Sequence, residues 1–259
     1  MPRQSVSFDR AASYYDDTRA MPAEAVNAIT DAILDALARN DAGRLLEVGI
    51  GTGRISLPLM ARGLPVTGVD ISPAMTARLR EKLTPEHHVP DLIFGDATHL
   101  PIRDGAFPAA LTVHVLHLVS SAEATLAEIR RVLAPGGIYL NKQHRDNQPL
   151  AASSAWWTDA LERRGHVRDS RLRFDEQRQL IRTTGASLEL IDICGQVNRT
   201  PPGEVMDKTR NRIHSWTWPI PDEIFEDCLV EYEPWFRAHY PGEIIEELTH
   251  ELEIWRWPA

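Results

Sequence analysis

The chain has 259 residues, of which 43% are hydrophobic and 25% charged, a composition typical of globular proteins that excludes a fibre or a disordered linker. Its formal net charge is −9 at pH 7 without any long run of Lys or Arg, and this argues against general nucleic-acid binding because such a surface repels phosphate backbones. Its two cysteines, Cys194 and Cys228, are too few for a disulfide framework or a four-cysteine zinc site.

The sequence contains no pattern typical of export or membrane insertion. No apolar segment follows Met1-Pro2-Arg3, unlike in a secretory signal. The longest largely apolar run, 109–119, contains two histidines and falls short of the roughly 18 residues that a membrane-spanning helix needs. Together with the low cysteine content, these features predict a cytoplasmic protein without a membrane span. The oligomeric state is left open.

The first 83 residues alternate between helix and strand patterns. Apolar residues recur at helical spacing in two segments, and short apolar runs predict strands between them. Ser72 and Pro73 suit the N-cap and the first position of a further helix. The predicted elements are helix 24–40, strand 44–49, helix 54–62, strand 65–70 and helix 72–83.

The same alternation continues through most of the remaining chain. The further predicted elements are strands 91–94, 109–114 and 138–141 with helix 122–133, then helix 175–184 and strands 187–193 and 249–257. Such an order predicts an α/β fold with a doubly wound, mostly parallel sheet of seven strands that helices cover on both faces, a Rossmann-like arrangement.

Two segments interrupt the alternation and hold most of the tryptophans. We expect residues 143–174 to form a cap segment and residues 196–243 to form a substrate lid insertion. The predicted core then consists of residues 1–142, with the amino-terminal helices, residues 175–195, with one helix and one strand, and residues 244–259, with the final strand.

The most specific motif is Leu45-Leu46-Glu47-Val48-Gly49-Ile50-Gly51-Thr52-Gly53, which ends a predicted strand and begins a helix. Its glycines let backbone groups approach a ligand at the carboxyl edge of the sheet. Asp70 follows 21 positions after Gly49, at the end of the second strand. At this spacing an acidic side chain can accept both hydroxyl groups of a ribose. The two features together predict an adenosine site.

The kind of nucleotide depends on the residues that follow the turn. A dinucleotide fingerprint would need a third glycine where Arg54 stands, which makes an NAD-dependent oxidoreductase the weaker alternative. A phosphate-binding loop would need Gly-Lys-Ser/Thr, and Gly53-Arg54-Ile55 does not supply it.

Four motifs together resemble the class I S-adenosylmethionine-dependent methyltransferases: the glycine turn 45–53, Asp70, Gly95-Asp96-Ala97 and the run 131–137. The resemblance is to the small-molecule group related to the ubiquinone and menaquinone C-methyltransferases, and it extends roughly from Phe8 to Leu140. It implies methyl transfer from S-adenosylmethionine to a small-molecule acceptor by in-line displacement. A non-catalytic module that binds S-adenosylmethionine or S-adenosylhomocysteine is an alternative.

The resemblance implies a role for each of these motifs. The glycine turn would lie beside the methionine part of the cofactor, the acid that ends the second strand would hold the ribose, and the Gly-Asp-Ala motif would receive the adenine. The cofactor-binding residues implied in this way are Glu47, Gly49, Gly51, Gly53, Asp70, Ile71, Asp96 and Ala97.

The amino-terminal segment 8–16 resembles the part that closes over the cofactor in this group. Tyr14 or Tyr15 would then face the sulfonium, since an aromatic face stabilises a cation by roughly 0.5 to 2 kcal/mol. The alternative is that both tyrosines only hold the segment against the core.

Two histidines end the fourth predicted strand. The family often has histidine here, facing the place where methyl donor and acceptor meet, so His114 is the first candidate for contact with cofactor or acceptor and His117 the second. Either could act as a catalytic base, because imidazole titrates near neutral pH. Alternatively, both are hydrogen-bonded wall residues. No third ligand accompanies them, so no metal site is predicted.

Cations and tryptophans are concentrated in the predicted cap and lid. If they line a pocket, the acceptor is planar or apolar with an acidic group, and the predicted substrate-binding residues are Trp156, Arg210, Arg212 and Trp216. The alternative is that the tryptophans form the lid's own small core and the arginines are solvated.

Overall fold

A computed structural model describes residues 4–167 and 172–258 of the chain. The strands are β1 (Leu45–Val48), β2 (Val66–Asp70), β3 (Asp91–Phe94), β4 (Phe107–Val113), β5 (Leu133–Asp146), β6 (Ser187–Thr200) and β7 (Ile244–Arg256). The helices are α1 (Tyr15–Thr18), α2 (Ala23–Ala38), α3 (Ser56–Ala61), α4 (Pro73–Lys82), α5 (Ala122–Val132), α6 (Ala151–Arg163), α7 (Phe174–Thr183), α8 (Pro202–Arg210) and α9 (Asp222–His239). None of these helices is long and apolar enough to cross a membrane.

The strands form one sheet in the order β3-β2-β1-β4-β5-β7-β6. The first five strands pair in parallel. Strand β7 is antiparallel to β5. The Asn141 side chain donates to Glu253 and the Asn147 N–H donates to the Glu247 carbonyl, so residue numbers rise along β5 while they fall along β7. The predicted α/β fold with a mostly parallel seven-stranded sheet is confirmed, and the reversed strand is the deviation from it.

The strand order also explains where a ligand site can form. From β1 the chain moves outward through β2 and β3 and then crosses back to β4 on the other side of β1. Such a reversal opens a crevice at the carboxyl ends of the central strands. The register aligns these ends, since Val48 pairs with both Val69 and Thr112, and Asp70 pairs with Phe94.

Strands β5, β6 and β7 are several residues longer than the sequence pattern predicts. Strand β5 begins at Leu133, because pairing with β4 continues through the Pro135-Gly136-Gly137 turn with a register irregularity. The turn residues therefore mark a bulge and not the strand end. Strand β7 begins at Ile244, where interleaved glutamates hide the apolar alternation.

The chain divides into two compact units, of which the first comprises Met1–His144, Arg171–Cys194 and His250–Ala259. Successive residues of its central strands belong to two different hydrophobic clusters. Leu45 packs with α2 and α3, whereas Leu46 packs with α5. Both are fully buried. This two-sided burial is why the parallel strands appear in the sequence as continuous apolar runs.

The second unit comprises Arg145–Ser170 and Gly195–Thr249 and has a core of its own. Helices α6 and α9 meet there, with the ring of Trp157 stacked on Phe225 at 5.4 Å between centroids. The hydroxyl groups of Ser153 and Tyr232 lie 2.5 Å apart in the same core. The cap and lid roles expected for these segments stay predictions.

Candidate active site

The turn between β1 and α3 requires glycine at two of its positions. Gly49 and Gly53 have φ angles of +80° and +76°, a region that other residues rarely adopt. A Cβ atom would also lie 2.5 Å from Val115 Cγ2 at Gly49 and 2.3 Å from Leu79 Cδ1 at Gly53. The backbone of the turn therefore packs directly against neighbouring side chains.

This turn, the ends of β2, β3 and β4, and the amino-terminal segment line an open cleft of about 670 Å³, called the main cleft here. The predicted site residues that line it are Tyr15, Gly49, Gly51, Asp70, Ile71, Asp96, Ala97 and His114. A side pocket of about 280 Å³ adjoins it, shares Tyr15, Gly49 and Gly51, and adds Glu47 and Arg54.

Asp70 is held in one orientation at the end of β2. Its Oδ2 accepts the Gly51 N–H at 2.7 Å and its Oδ1 accepts the Ser72 N–H at 2.8 Å. Burial raises the pKa of Asp70, although these two hydrogen bonds oppose the rise. Each carboxylate oxygen can accept more than one hydrogen bond, so capacity remains for ligand hydroxyl groups.

Asp96 lies two residues after β3, and its pKa is shifted in the opposite direction from that of Asp70. Burial opposes its charge, but hydrogen bonds from Thr98 and Ser5 outweigh it and lower the pKa of Asp96 below its ordinary value. The Thr98 N–H and hydroxyl lie 2.9 and 2.8 Å from Asp96 Oδ1. Asp96 is therefore a charged acceptor beside the main cleft.

Glu47 lies beneath the glycine turn and is only 2% exposed. Burial raises its pKa to about 8, and the nearby Asp70 adds to the rise. The hydroxyl of Ser56 donates to Glu47 Oε2. At neutral pH Glu47 is thus mostly protonated, so it can donate as well as accept a hydrogen bond in the side pocket.

The amino-terminal segment is tied to the start of α4 through Asp9. Asp9 Oδ1 accepts the Ser72 hydroxyl at 2.5 Å and the Ala74 N–H at 3.1 Å. The tie brings Tyr15 to both the main cleft and the side pocket, whereas Tyr14 is not among the lining residues of either. Of the two tyrosines Tyr15 is therefore the one placed to face a ligand, and its contact with the sulfonium stays a prediction. Asp9 is a contributor that sequence reasoning missed.

His114 follows β4 with a φ of +55°, which is uncommon for a non-glycine residue and aims its ring at the main cleft. Its ring centroid lies 4.9 Å from that of His144 and 5.7 Å from that of Phe174. Burial, followed by the charge of Lys142, lowers the pKa of His114 well below 6.5. Because His114 resists protonation, it is a weak proton acceptor. This favours the interpretation that it is a wall residue over the interpretation that it is a catalytic base. His117 is not among the residues that line the main cleft.

Comparison with known proteins identifies the domain that carries these residues. Residues 46–141 match the family described as a methyltransferase domain. The matched segment contains the glycine turn, Asp70 and Asp96. The predicted resemblance to methyltransferases is thereby confirmed for this segment.

The relatives align with this domain and not with the whole chain. A phosphatidylethanolamine N-methyltransferase from Cereibacter sphaeroides is 40% identical over 114 residues, 42% of this chain and 56% of that protein. A demethylmenaquinone methyltransferase from Beutenbergia cavernae is 38% identical over 133 residues, 50% of this chain and 53% of that protein. The match thus spans about half the length of these curated relatives.

The fold extends beyond the segment that the relatives share. A putative methyltransferase from Bacillus halodurans superposes with a TM-score of 0.59, covering 89% of this chain and 99% of that chain at 15% identity. At that identity the comparison shows a shared fold.

The first unit also contains a buried basic pair that sequence reasoning missed. Lys142 on β5 is 1% exposed, and its Nζ lies 3.0 Å from Nδ1 of His250 on β7. Burial and then the charge of Arg54 lower the pKa of Lys142 to about 7. Lys142 follows the predicted strand 138–141 and stands between Asn141 and Gln143, so the local sequence did not mark it as buried. Within 4–167 and 172–258, no group of three His, Cys, Asp or Glu side chains is placed to hold a metal.

The predicted substrate-binding residues all lie in the second unit, where each contacts other residues of that unit. The rings of Trp156 and Trp216 lie 5.5 and 5.3 Å from Trp157. Arg210 pairs with Glu233 at 2.5 Å, and Arg212 donates to Asp222 and to the carbonyl groups of Thr217 and Ile220. These contacts favour the alternative in which the tryptophans form a local core. The arginines stabilise that core through ion pairs and carbonyl contacts.

Proposed function

We propose that the protein is an S-adenosylmethionine-dependent methyltransferase that acts on a small-molecule acceptor. One observation carries the proposal: Asp70 at the end of β2 and Asp96 just after the adjacent parallel strand β3 line one cleft together with the glycine turn. Two acceptor side chains placed in this way suit a nucleoside, with one acid for the ribose hydroxyl groups and the other for the adenine amine.

The residues of the main cleft fit such a cofactor. Asp70 would accept the ribose hydroxyl groups with the capacity that its two backbone contacts leave. Ile71 and Ala97 would pack on the adenine, and Tyr15 would present its ring to the sulfonium. Protonated Glu47 would donate a hydrogen bond on the methionine side. When bound, S-adenosylmethionine supplies a methyl group that its positive sulfur has already activated for attack by the acceptor.

The chain's own contribution would then be orientation and exclusion of water. A donor that is already activated needs no protein nucleophile, so correct placement of the acceptor supplies much of the rate. The amino-terminal segment, tied down by Asp9, supplies one wall of the cleft, and water exclusion strengthens the electrostatic contacts inside. His114 would form part of the acceptor wall.

The acceptor does not follow from the domain alone. The relatives carry names that refer to phosphatidylethanolamine and to demethylmenaquinone, two chemically different acceptors. A small-molecule acceptor, a cytoplasmic location and independence from nucleic acid belong to the same proposal, supported by the low cysteine content and the charge of −9. The non-catalytic alternative predicts binding of the cofactor without transfer of its methyl group.

The cofactor assignment is tested by calorimetry with S-adenosylhomocysteine. We expect micromolar binding to the wild type and a loss of about 10- to 100-fold in Asp70→Ala, because hydrogen bonds to a charged acceptor are removed. Asp31→Ala is the matched control, since Asp31 forms only an exposed ion pair with Arg62. Equal affinity in Asp70→Ala, or binding of NAD with none of S-adenosylhomocysteine, would refute the assignment. Transfer of an isotope-labelled methyl group to candidate acceptors, detected by mass spectrometry, separates the enzyme from the non-catalytic module.

A further inference from the structure

A group of basic side chains surrounds His114, and the proposed cofactor contacts do not use it. This basic cluster consists of Arg54, His114, Lys142, His144 and His250, all within the first unit. Lys142 pairs in register with Val113, the residue before His114, so it is placed beside the end of β4. The ring of His144 lies 4.9 Å from His114, and His250 lies 3.0 Å from the Lys142 amine.

Each member of the cluster opposes the protonation of the others. The charges of Lys142, His144 and Arg54 lower the pKa of His250 to about 4, after the larger effect of burial. The same three residues and His117 act on His114, and Arg54 acts on Lys142, for which the thiol of Cys194 is the opposing neighbour. Arg54 itself donates to the backbone carbonyl of Arg19 at 3.0 Å. At neutral pH His114 and His250 are therefore neutral, and the positive charge of the cluster comes from Arg54 and from the protonated fraction of Lys142.

The cluster borders the place where donor and acceptor would meet. His114 lines the main cleft and Arg54 lines the side pocket, and Gly49 and Val113 line both. Low-dielectric walls focus the field of buried charges into a cleft. The potential at this wall therefore favours a negative group and disfavours an ammonium group or any acceptor that becomes a cation when it is methylated.

We propose, building on the methyltransferase function proposed above, that the acceptor is a phenol, an enol or a carboxylic acid that binds and reacts as its anion, with the basic cluster supplying the opposing charge. Lys142 is a positioning residue in this proposal, because it acts on the acceptor through the field at the His114 wall. Arg54 contributes a permanent positive charge, whereas Lys142 becomes positively charged when the anion binds.

The proposed step balances in atoms and charge. The acid loses its proton to solvent, and Lys142 takes one up as the anion binds. A lone pair of the anion forms the new bond to the methyl carbon, and the electron pair of the broken carbon–sulfur bond stays on sulfur. Methylation removes the negative charge of the acceptor, so Lys142 releases its proton again. The neutral product is more compatible with the apolar surroundings than the anion was. One proton is released per turnover.

The first test compares ligand charge at constant shape. The protein saturated with S-adenosylhomocysteine is titrated with a panel of aromatic carboxylates, their amides and the corresponding benzylamines, observed by ligand NMR. We expect the carboxylates to bind roughly tenfold more tightly than the amides, a preference lost in Lys142→Met and kept in Lys142→Arg. Lys208→Met, which removes an exposed lysine paired with Glu204, is the matched control. Preferential binding of benzylamines, or a preference unchanged in Lys142→Met, would overturn the proposal.

A second arm identifies the source of the negative group. The cofactor also carries a carboxylate, whereas 5′-methylthioadenosine lacks it. We expect Lys142→Met to bind both nucleosides as the wild type does. A loss of about tenfold for S-adenosylhomocysteine alone would assign the cluster to the cofactor, which overturns the acceptor proposal and leaves the methyltransferase function intact.

A third arm needs no variant and so does not depend on the stability of a substituted core. Wild-type protein with methyl-labelled S-adenosylmethionine is offered a panel of phenols, 1,3-dicarbonyl compounds, carboxylic acids and amines. Label confined to the acids supports the proposal, whereas label confined to the amines overturns it while the methyltransferase function stands. Calorimetry of a carboxylate in two buffers of different ionisation enthalpy completes the arm: we expect proton uptake near pH 7 to 8 in the wild type and none in Lys142→Arg.

Discussion

Two carboxylic acids at neighbouring strand ends show how residue-scale burial shapes this site. Burial raises the pKa of Glu47 to about 8 and also raises that of Asp70. The charge of Asp70 adds to the rise at Glu47, and the charge of Asp9 adds to the rise at Asp70. A site of this kind holds protons that the unfolded chain would release, so folding and ionisation are linked.

This linkage predicts how stability depends on pH. In the unfolded chain Glu47 loses its proton near pH 4.5, whereas the folded protein keeps it until about pH 8. Because the native state binds more protons across this window, the free energy of unfolding falls as the pH rises through it. We expect Glu47→Gln to flatten this dependence in urea denaturation measured between pH 5 and 8. Glu24→Gln on the exposed face of α2 is the control, and an unchanged pH slope in Glu47→Gln would contradict the assignment.

At the scale of elements, the glycine turn predicts a sharp difference between two glycines near the same strand. Gly53→Ala combines a φ of +76° with a Cβ placed 2.3 Å from Leu79, so we expect a destabilisation of about 1 to 3 kcal/mol. Gly43→Ala has nothing within 4 Å of the new Cβ and no positive φ, so its melting temperature should stay near that of the wild type. Thermal unfolding of both variants gives the comparison, and equal melting temperatures would argue against the packed turn.

A second element-scale prediction concerns the contact between the amino-terminal segment and α4. Asp9→Ala removes the acceptor of the Ser72 hydroxyl and of the Ala74 N–H. We expect faster proteolysis within residues 4–20 and weaker binding of S-adenosylhomocysteine, because Phe8 and Tyr15 line the main cleft. Limited proteolysis with mass spectrometry and calorimetry measure the two effects. Asp17→Ala, at an exposed position of the same segment, serves as the control, and a wild-type cleavage rate in Asp9→Ala would exclude the role of this contact.

On the scale of the whole molecule, the chain contains two cores that take residues from separated stretches of sequence. The second unit is assembled from two segments, and its aromatic core has no member in the clusters of the first unit. Each core therefore sets the stability of its own unit, since most stabilisation comes from burial within a cluster.

We expect Trp157→Ala to test this division. The side chain is 1% exposed and stacks on Phe225, so its loss should cost about 3 to 5 kcal/mol. Hydrogen exchange should lose protection first in residues 145–167 and 195–249 while the central strands of the first unit stay protected. Val230→Ala, at a residue of α9 that is 76% exposed, should leave the exchange pattern unchanged. Simultaneous loss of protection in both units would contradict independent cores.

Local patterns in the sequence were sufficient for much of the fold. Strand β3 was predicted at its observed bounds, because a short apolar run between polar turns has few other outcomes. Ser72 does accept the Met75 N–H as an N-cap. Patterns of this kind fail where tertiary pairing overrides them, as in β5, where pairing with β4 continues through Pro135-Gly136-Gly137.

The sequence by itself determined the alternation of strands and helices outside residues 143–174 and 196–243, the glycine turn, and the acids Asp70 and Asp96, because periodicity, turn chemistry and spacing are properties of neighbouring residues. Only the tertiary structure decided that Tyr15 and not Tyr14 lines the cleft, and that Lys142 meets His250. Residues 108 positions apart come together through strand register and sheet order, and no local pattern carries that information.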